Sequence, residues 1–107
     1  MIEPSDADAG AAAIRELNEE MGLTTDSLVF LGRYRTDVNR GGGYVNCFLA
    51  RHCQPATRLL KSDDLEAQKR VHLSQAALEA ALMAHRFKEV KWSNTVAMSL
   101  QHLAKNP

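Results

Sequence analysis

Two short apolar runs constrain the fold open to this chain more than any other feature. "SLVFLGRY" (Ser27–Tyr34) and "GYVNCFLAR" (Gly43–Arg51) are rich in β-branched and aromatic residues, and the "NRGGG" between them is a turn or flexible loop. They read as two strands paired as a hairpin. Helical sequence flanks them on both sides. Upstream, "DAGAAAIRELNEEM" (Asp8–Met21) is dense in helix formers, with Asp8 placed to cap its start and Gly22 to stop it in the left-handed conformation. Downstream, "KSDDLEAQ" (Lys61–Gln68) is polar and acidic, and "KRVHL" (Lys69–Leu73) predicts a short strand leading to Ser74. Ser74 caps the helix "QAALEAALMAH", which places Leu78 and Leu82 on one face. A last helix after Trp92 repeats that spacing with Val96, Leu100 and Leu103. The element order predicts a mixed α/β sandwich.

Composition narrows the function classes. At 107 residues and 45% hydrophobic content, the chain suits one domain, residues 1–107, with a modest core. Thirteen basic and thirteen acidic residues cancel, so no global field recruits nucleic acid or an anionic membrane. Any charge-driven function is therefore local. Cys47 and Cys53 lack metal-ligand spacing and suggest no disulfide framework, which points to a reduced, cytoplasmic setting. No apolar run approaches the roughly 18 to 20 residues that span a bilayer. His52, His72, His85 and His102 share no spacing that would make a zinc site. Cys47 is expected to pack within its strand rather than act as a nucleophile. Trp92 is expected to pack under the last helix, with stacking on an adenine as the alternative.

The first helix carries an unusual charge pattern. At about 100° per residue, Ile14, Leu17 and Met21 fall on one side, and Glu16, Glu19 and Glu20 on the other. The acidic side faces outward. Crowded carboxylates repel by a few tenths of a kcal/mol per like pair, and here they gather near the negative end of the helix. A divalent cation reverses the sign, because hard oxygen ligands at i, i+3 and i+4 suit Mg²⁺ or Mn²⁺ together with water and phosphate oxygens. Arg15 reaches one turn on to Glu19. The alternative is a solvated charged face, the commoner fate of such a run.

The full string "RELNEEMGL" (Arg15–Leu23) resembles the second half of the Nudix box, Arg-Glu-U-x-Glu-Glu-x-Gly-U with U a bulky aliphatic residue. The resemblance implies a Nudix-type α/β/α sandwich. It makes Glu16, Glu19 and Glu20 the metal-binding glutamates, Glu19 and Glu20 serving catalysis as well, and Arg15 their structural partner. Upstream the pattern departs: its opening Gly and next Glu would fall at Met1 and Ala7, or, with one insertion, the Glu would align with Asp6. The chain thus begins within the box, and the family's N-terminal strands are not represented. The tail, with a glycine-bearing loop, a strand and an acidic loop, is similar to ADP-ribose and ADP-sugar pyrophosphatases. That similarity makes Glu66 the candidate general base, with Asp63 or Asp64 as substitutes, and Arg40 a candidate diphosphate contact. The implied reaction is Mg²⁺- or Mn²⁺-dependent hydrolysis of a nucleoside diphosphate derivative, ADP-ribose or an ADP-sugar, to AMP and a sugar phosphate. The implied partners include no nucleic acid and no membrane, and full-length members of the family are expected as homodimers. A non-catalytic nucleotide-binding module, or an inactive fragment, is the alternative.

Overall fold

The structure, a computed structural model, describes residues 8–36, 43–59 and 70–107. Its elements are α1 (Ala9–Met21), β1 (Leu23–Thr24), β2 (Ser27–Arg35), β3 (Tyr44–Arg51), β4 (Gln54–Pro55), α2 (Gln75–Met83) and α3 (Val90–Lys105). The strands form two two-stranded sheets, β1 with β4 and β2 with β3, so the expected mixed α/β class is borne out. Internal contacts divide the chain into two units, Met1–Val29 with Ala50–Val71, and Phe30–Leu49 with His72–Pro107.

In the first unit, α1 begins and ends where its chemistry dictates. Asp8 is extended, and its carboxylate accepts the Ala11 N–H at 2.8 Å, satisfying one of the orphan donors of the first turn. Gly22 adopts φ 66 and ψ 25, and its N–H donates to the Asn18 carbonyl at 2.8 Å. Its own carbonyl accepts the Ala56 N–H at 2.9 Å. The chain then runs directly into β1, which pairs antiparallel with β4, Leu23 opposite Pro55 and Thr24 opposite Gln54. So short a pair tolerates a proline because little ladder is lost at its end. Thr25 is buried; its hydroxyl donates to the Arg51 carbonyl and accepts the Ser27 N–H. Ala12 of α1 is buried, and Ile14 and Leu17, on its apolar side, are half-buried. Met21, expected on the packed side, is 39% exposed. It is the last helical residue, and the reversal at Gly22 carries the chain away before that side chain is covered.

In the second unit, Leu31 of β2 and Cys47 of β3 are buried. Cys47 packs within its strand as the sequence implies. Phe30 and Phe48 approach as a tilted pair with ring centroids 5.5 Å apart. Gly32 sits at φ 131 with the Tyr34 ring folded over it; a Cβ there would stand 2.6 Å from the Tyr34 hydroxyl, which donates to the Leu31 carbonyl. Thr36 closes the end of this sheet, its N–H and hydroxyl both donating to the Gly43 carbonyl. Ser74 caps α2 through the Ala77 N–H at 3.1 Å, and α2 packs on α3. Leu78, Leu82, Val96, Leu100 and Leu103 are all half-buried, as their spacing predicts.

Two expectations are corrected in this unit and at its boundary. Residues 70–73 form no strand, and Val71 and Leu73 are exposed, because among the described residues no neighbouring strand pairs with them. The last helix starts at Val90, ahead of Trp92, so Trp92 lies in its first turn and is 56% exposed rather than packed beneath it.

The closure of α1 generates a stability test. Gly22→Ala forces an L-residue into the left-handed region and brings its Cβ to 3.3 Å from Leu59 Cδ2. It should destabilise the chain by about 1 to 2 kcal/mol, roughly 4 to 8 °C of melting temperature per kcal/mol for a chain near this size. Asp8→Ala should cost about 1 kcal/mol through loss of the cap. Thermal denaturation followed by circular dichroism measures both; equal midpoints for Gly22→Ala and the parent chain would show that the backbone there relaxes without strain.

Candidate active site

The glutamates of α1 are held by the helix that Asp8 and Gly22 delimit. Arg15 Nη1 donates to Glu19 Oε2 at 2.8 Å, one turn along, and Arg15 Nη2 lies 3.7 Å from Glu16 Oε1. The Arg15 side chain is 16% exposed, against 36% for Glu16 and 23% for Glu19. One cation thus spans two of the three carboxylates in a partly screened setting, while Glu20 is exposed. An arginine N-terminal to its glutamate is the less favourable order on a helix, and such pairs contribute only about 0.2 to 0.5 kcal/mol. The pair therefore matters more for where Glu19 points than for stability. Glu16 and Glu20, four residues apart, repel one another by a similar amount. The expected partnership of Arg15 with the acidic face is present in the geometry.

Asn18, the variable position between Leu17 and Glu19, has a role the sequence does not announce. Its Nδ2 donates to the Arg58 carbonyl at 2.7 Å, tying the acidic turn of α1 to the segment after β4. No sequence signal marks which helical Asn will find a carbonyl 40 residues away.

The same unit holds a polar cleft of about 240 Å³ lined by Thr24, Thr25, Asp26, Ser27, His52 and Gln54. His52 has φ 54, an uncommon left-handed conformation for a residue with a side chain. The cleft is smaller than the roughly 300 Å³ at the lower end of small-molecule sites and does not accommodate a nucleotide by itself.

Glu66, Asp63, Asp64 and Arg40 lie outside the described residues, as do Met1, Asp6 and Ala7. Among the described residues no three His, Cys, Asp or Glu side chains converge as a metal-ligand group. Of the acidic side expected to face outward, Glu20 is exposed but Glu16 and Glu19 are half-buried, and the three do not close on one point. Both cysteines are free thiols, Cys47 buried and Cys53 exposed. Among the described residues no helix is long and apolar enough to cross a membrane.

Comparison with known proteins follows the same lines. No curated protein matches the chain. A solved crystal structure of an ADP compounds hydrolase shares its fold with a TM-score of 0.86 over 98% of this chain, at 24% sequence identity. This chain spans 55% of that protein's length. The NUDIX domain family model matches residues 1–93, a span that contains α1 with its Arg-Glu-U-x-Glu-Glu-x-Gly-U string, both sheets and α2. The chain belongs to the Nudix family.

Proposed function

We propose that this chain carries the cation-binding helix of a hydrolase acting on a nucleoside diphosphate linked to another moiety, ADP-ribose or an ADP-sugar, with AMP and a sugar phosphate as products. The observation that carries the reading is the run of three glutamates on one side of α1, with Glu19 held by Arg15 at 2.8 Å. The donor set fits a hard divalent cation: three carboxylates, no thiolate and no imidazole on that face. Glu16, Glu19 and Glu20 would hold Mg²⁺ or Mn²⁺. Such an ion would supply neutralising charge for phosphate oxygens and acidity for the attacking water.

The chain's own groups supply the rest. Arg15 keeps Glu19 turned along the helix, and Asn18 fixes the turn that bears it. Glu66 would accept the proton of the attacking water, and Arg40 would grip the diphosphate in a bidentate fork. A cytoplasmic setting and a homodimer belong to the same proposal. A second reading, a module that binds nucleotide without turnover, is favoured by one observation: the carboxylates of α1 do not converge among the described residues.

Two measurements test the proposal. In an ADP-ribose assay with Mg²⁺, Glu20→Gln should lower kcat/KM at least 100-fold, about 2.7 kcal/mol of transition-state stabilisation. Its melting temperature without metal should stay within about 2 °C, because an exposed carboxylate contributes little to packing. Undiminished turnover by Glu20→Gln would sink the assignment, and tight ADP-ribose binding with no AMP release from the parent chain would establish the binding module instead. Independently, millimolar Mg²⁺ should raise the midpoint of unfolding; a ligand at about 100 times its Kd contributes roughly 2.7 kcal/mol. A rise that persists in Glu20→Gln would place the cation elsewhere.

A further inference from the structure

On the sheet of the second unit, two arginines and a tyrosine form a cluster rich in hydrogen-bond donors. Arg33 and Arg35 stand two apart on β2 and so share one face of the strand, and Tyr44 reaches them from β3. The Arg33 guanidinium carbon lies 4.1 Å from the centroid of the Tyr44 ring, and that of Arg35 lies 5.8 Å from it. Arg35 Nε donates to the Tyr44 hydroxyl at 3.3 Å. The phenol oxygen is thereby used as an acceptor, which leaves its O–H proton to be donated elsewhere. All three residues are exposed, and among the described residues neither arginine has a carboxylate partner. In a chain whose charges sum to zero, two guanidinium groups around one ring are a local concentration of positive charge.

Like charges held together repel unless an anion joins them, and the tyrosine ring restrains both arginines before any ligand arrives. A carboxylate would satisfy one guanidinium fork and leave the other unpaired. A phosphate group, with close to two negative charges near neutral pH and three terminal oxygens, matches both forks and the phenol proton at once. The geometry points to Arg33, Arg35 and Tyr44 as a binding site for the phosphate group of a small phosphorylated ligand. The site rests on the second unit alone and needs no metal and no turnover by the acidic helix.

The experiment is a titration of the whole chain, in EDTA and at low salt, with ADP, inorganic phosphate and adenosine, read by nuclear magnetic resonance and calorimetry. ADP and phosphate should shift the Arg33 and Arg35 Nε–H signals, while adenosine should leave them in place. Shifts with ADP but not phosphate would assign the ligand as a nucleotide phosphate; shifts with both would assign phosphate itself. ADP affinity should fall at least tenfold in the Arg33→Gln/Arg35→Gln double variant and by less in Tyr44→Phe, and it should be unchanged in Lys105→Gln, which removes an exposed cation elsewhere. The side-chain signals of the parent chain decide the matter even if the double variant fails to fold. Unmoved Nε–H signals at millimolar ADP and phosphate, or equal shifts with adenosine, would overturn the proposal and leave the cluster as a cation–π brace of the sheet.

Discussion

The left-handed backbone at Gly22 lets a single residue close α1 and open β1. Its N–H terminates the helix on Asn18, its carbonyl holds Ala56, and the strand that follows is paired within one residue. A residue with a Cβ meets both the conformational penalty and Leu59 at this point. The acidic turn of α1 sits immediately before the reversal, so the orientation of Glu19 and Glu20 depends on a bend that only glycine makes without strain. Asn18 reinforces the same junction from inside the helix, through Arg58.

That junction explains how an electrostatically unfavourable pattern persists. Three carboxylates close to the negative end of a helix disfavour the helix locally, and the Arg15–Glu19 pair offsets only a part of this. The deficit is small against the backbone closure, the Asp8 cap and the burial of Ala12. Charge on this helix is thus tolerated by the fold, because the stability of the element comes from its ends rather than from its charged side.

Much of this was legible in the residues because it is local. Asp8 and Ser74 as caps, Gly22 as a left-handed stop, and the paired runs that became β2 and β3 each follow from side-chain chemistry within four residues or from period-2 composition. The Nudix string added what periodicity lacks, a reason for the glutamates. What escaped was decided at a distance. The pairing of β1 with β4 involves two residues a strand, too few to leave a pattern. The strand expected near Val71 required a neighbour that composition does not specify. Trp92 lies exposed in the first turn of α3, and what covers a helix's first turn is set by tertiary neighbours rather than by its own spacing. The tie from Asn18 to Arg58 and the gathering of Arg33, Arg35 and Tyr44 both depend on tertiary placement.

The hydroxyls along α3 have a consequence of their own. Thr95 donates to the Lys91 carbonyl at 2.7 Å and also stands 3.1 Å from the Cys47 sulfur, while Ser99, which is buried, donates to the Thr95 carbonyl at 2.7 Å. Each hydroxyl finds an acceptor one turn back on its own helix. Among the described residues no buried side-chain nitrogen or oxygen lacks a partner. This seam of α3 is polar in composition yet nearly self-sufficient in hydrogen bonding, so separating it from β3 strands no hydroxyl and sacrifices little beyond dispersion and the weak sulfur contact. Opening of α3 along this seam therefore costs packing contacts more than side-chain hydrogen bonds.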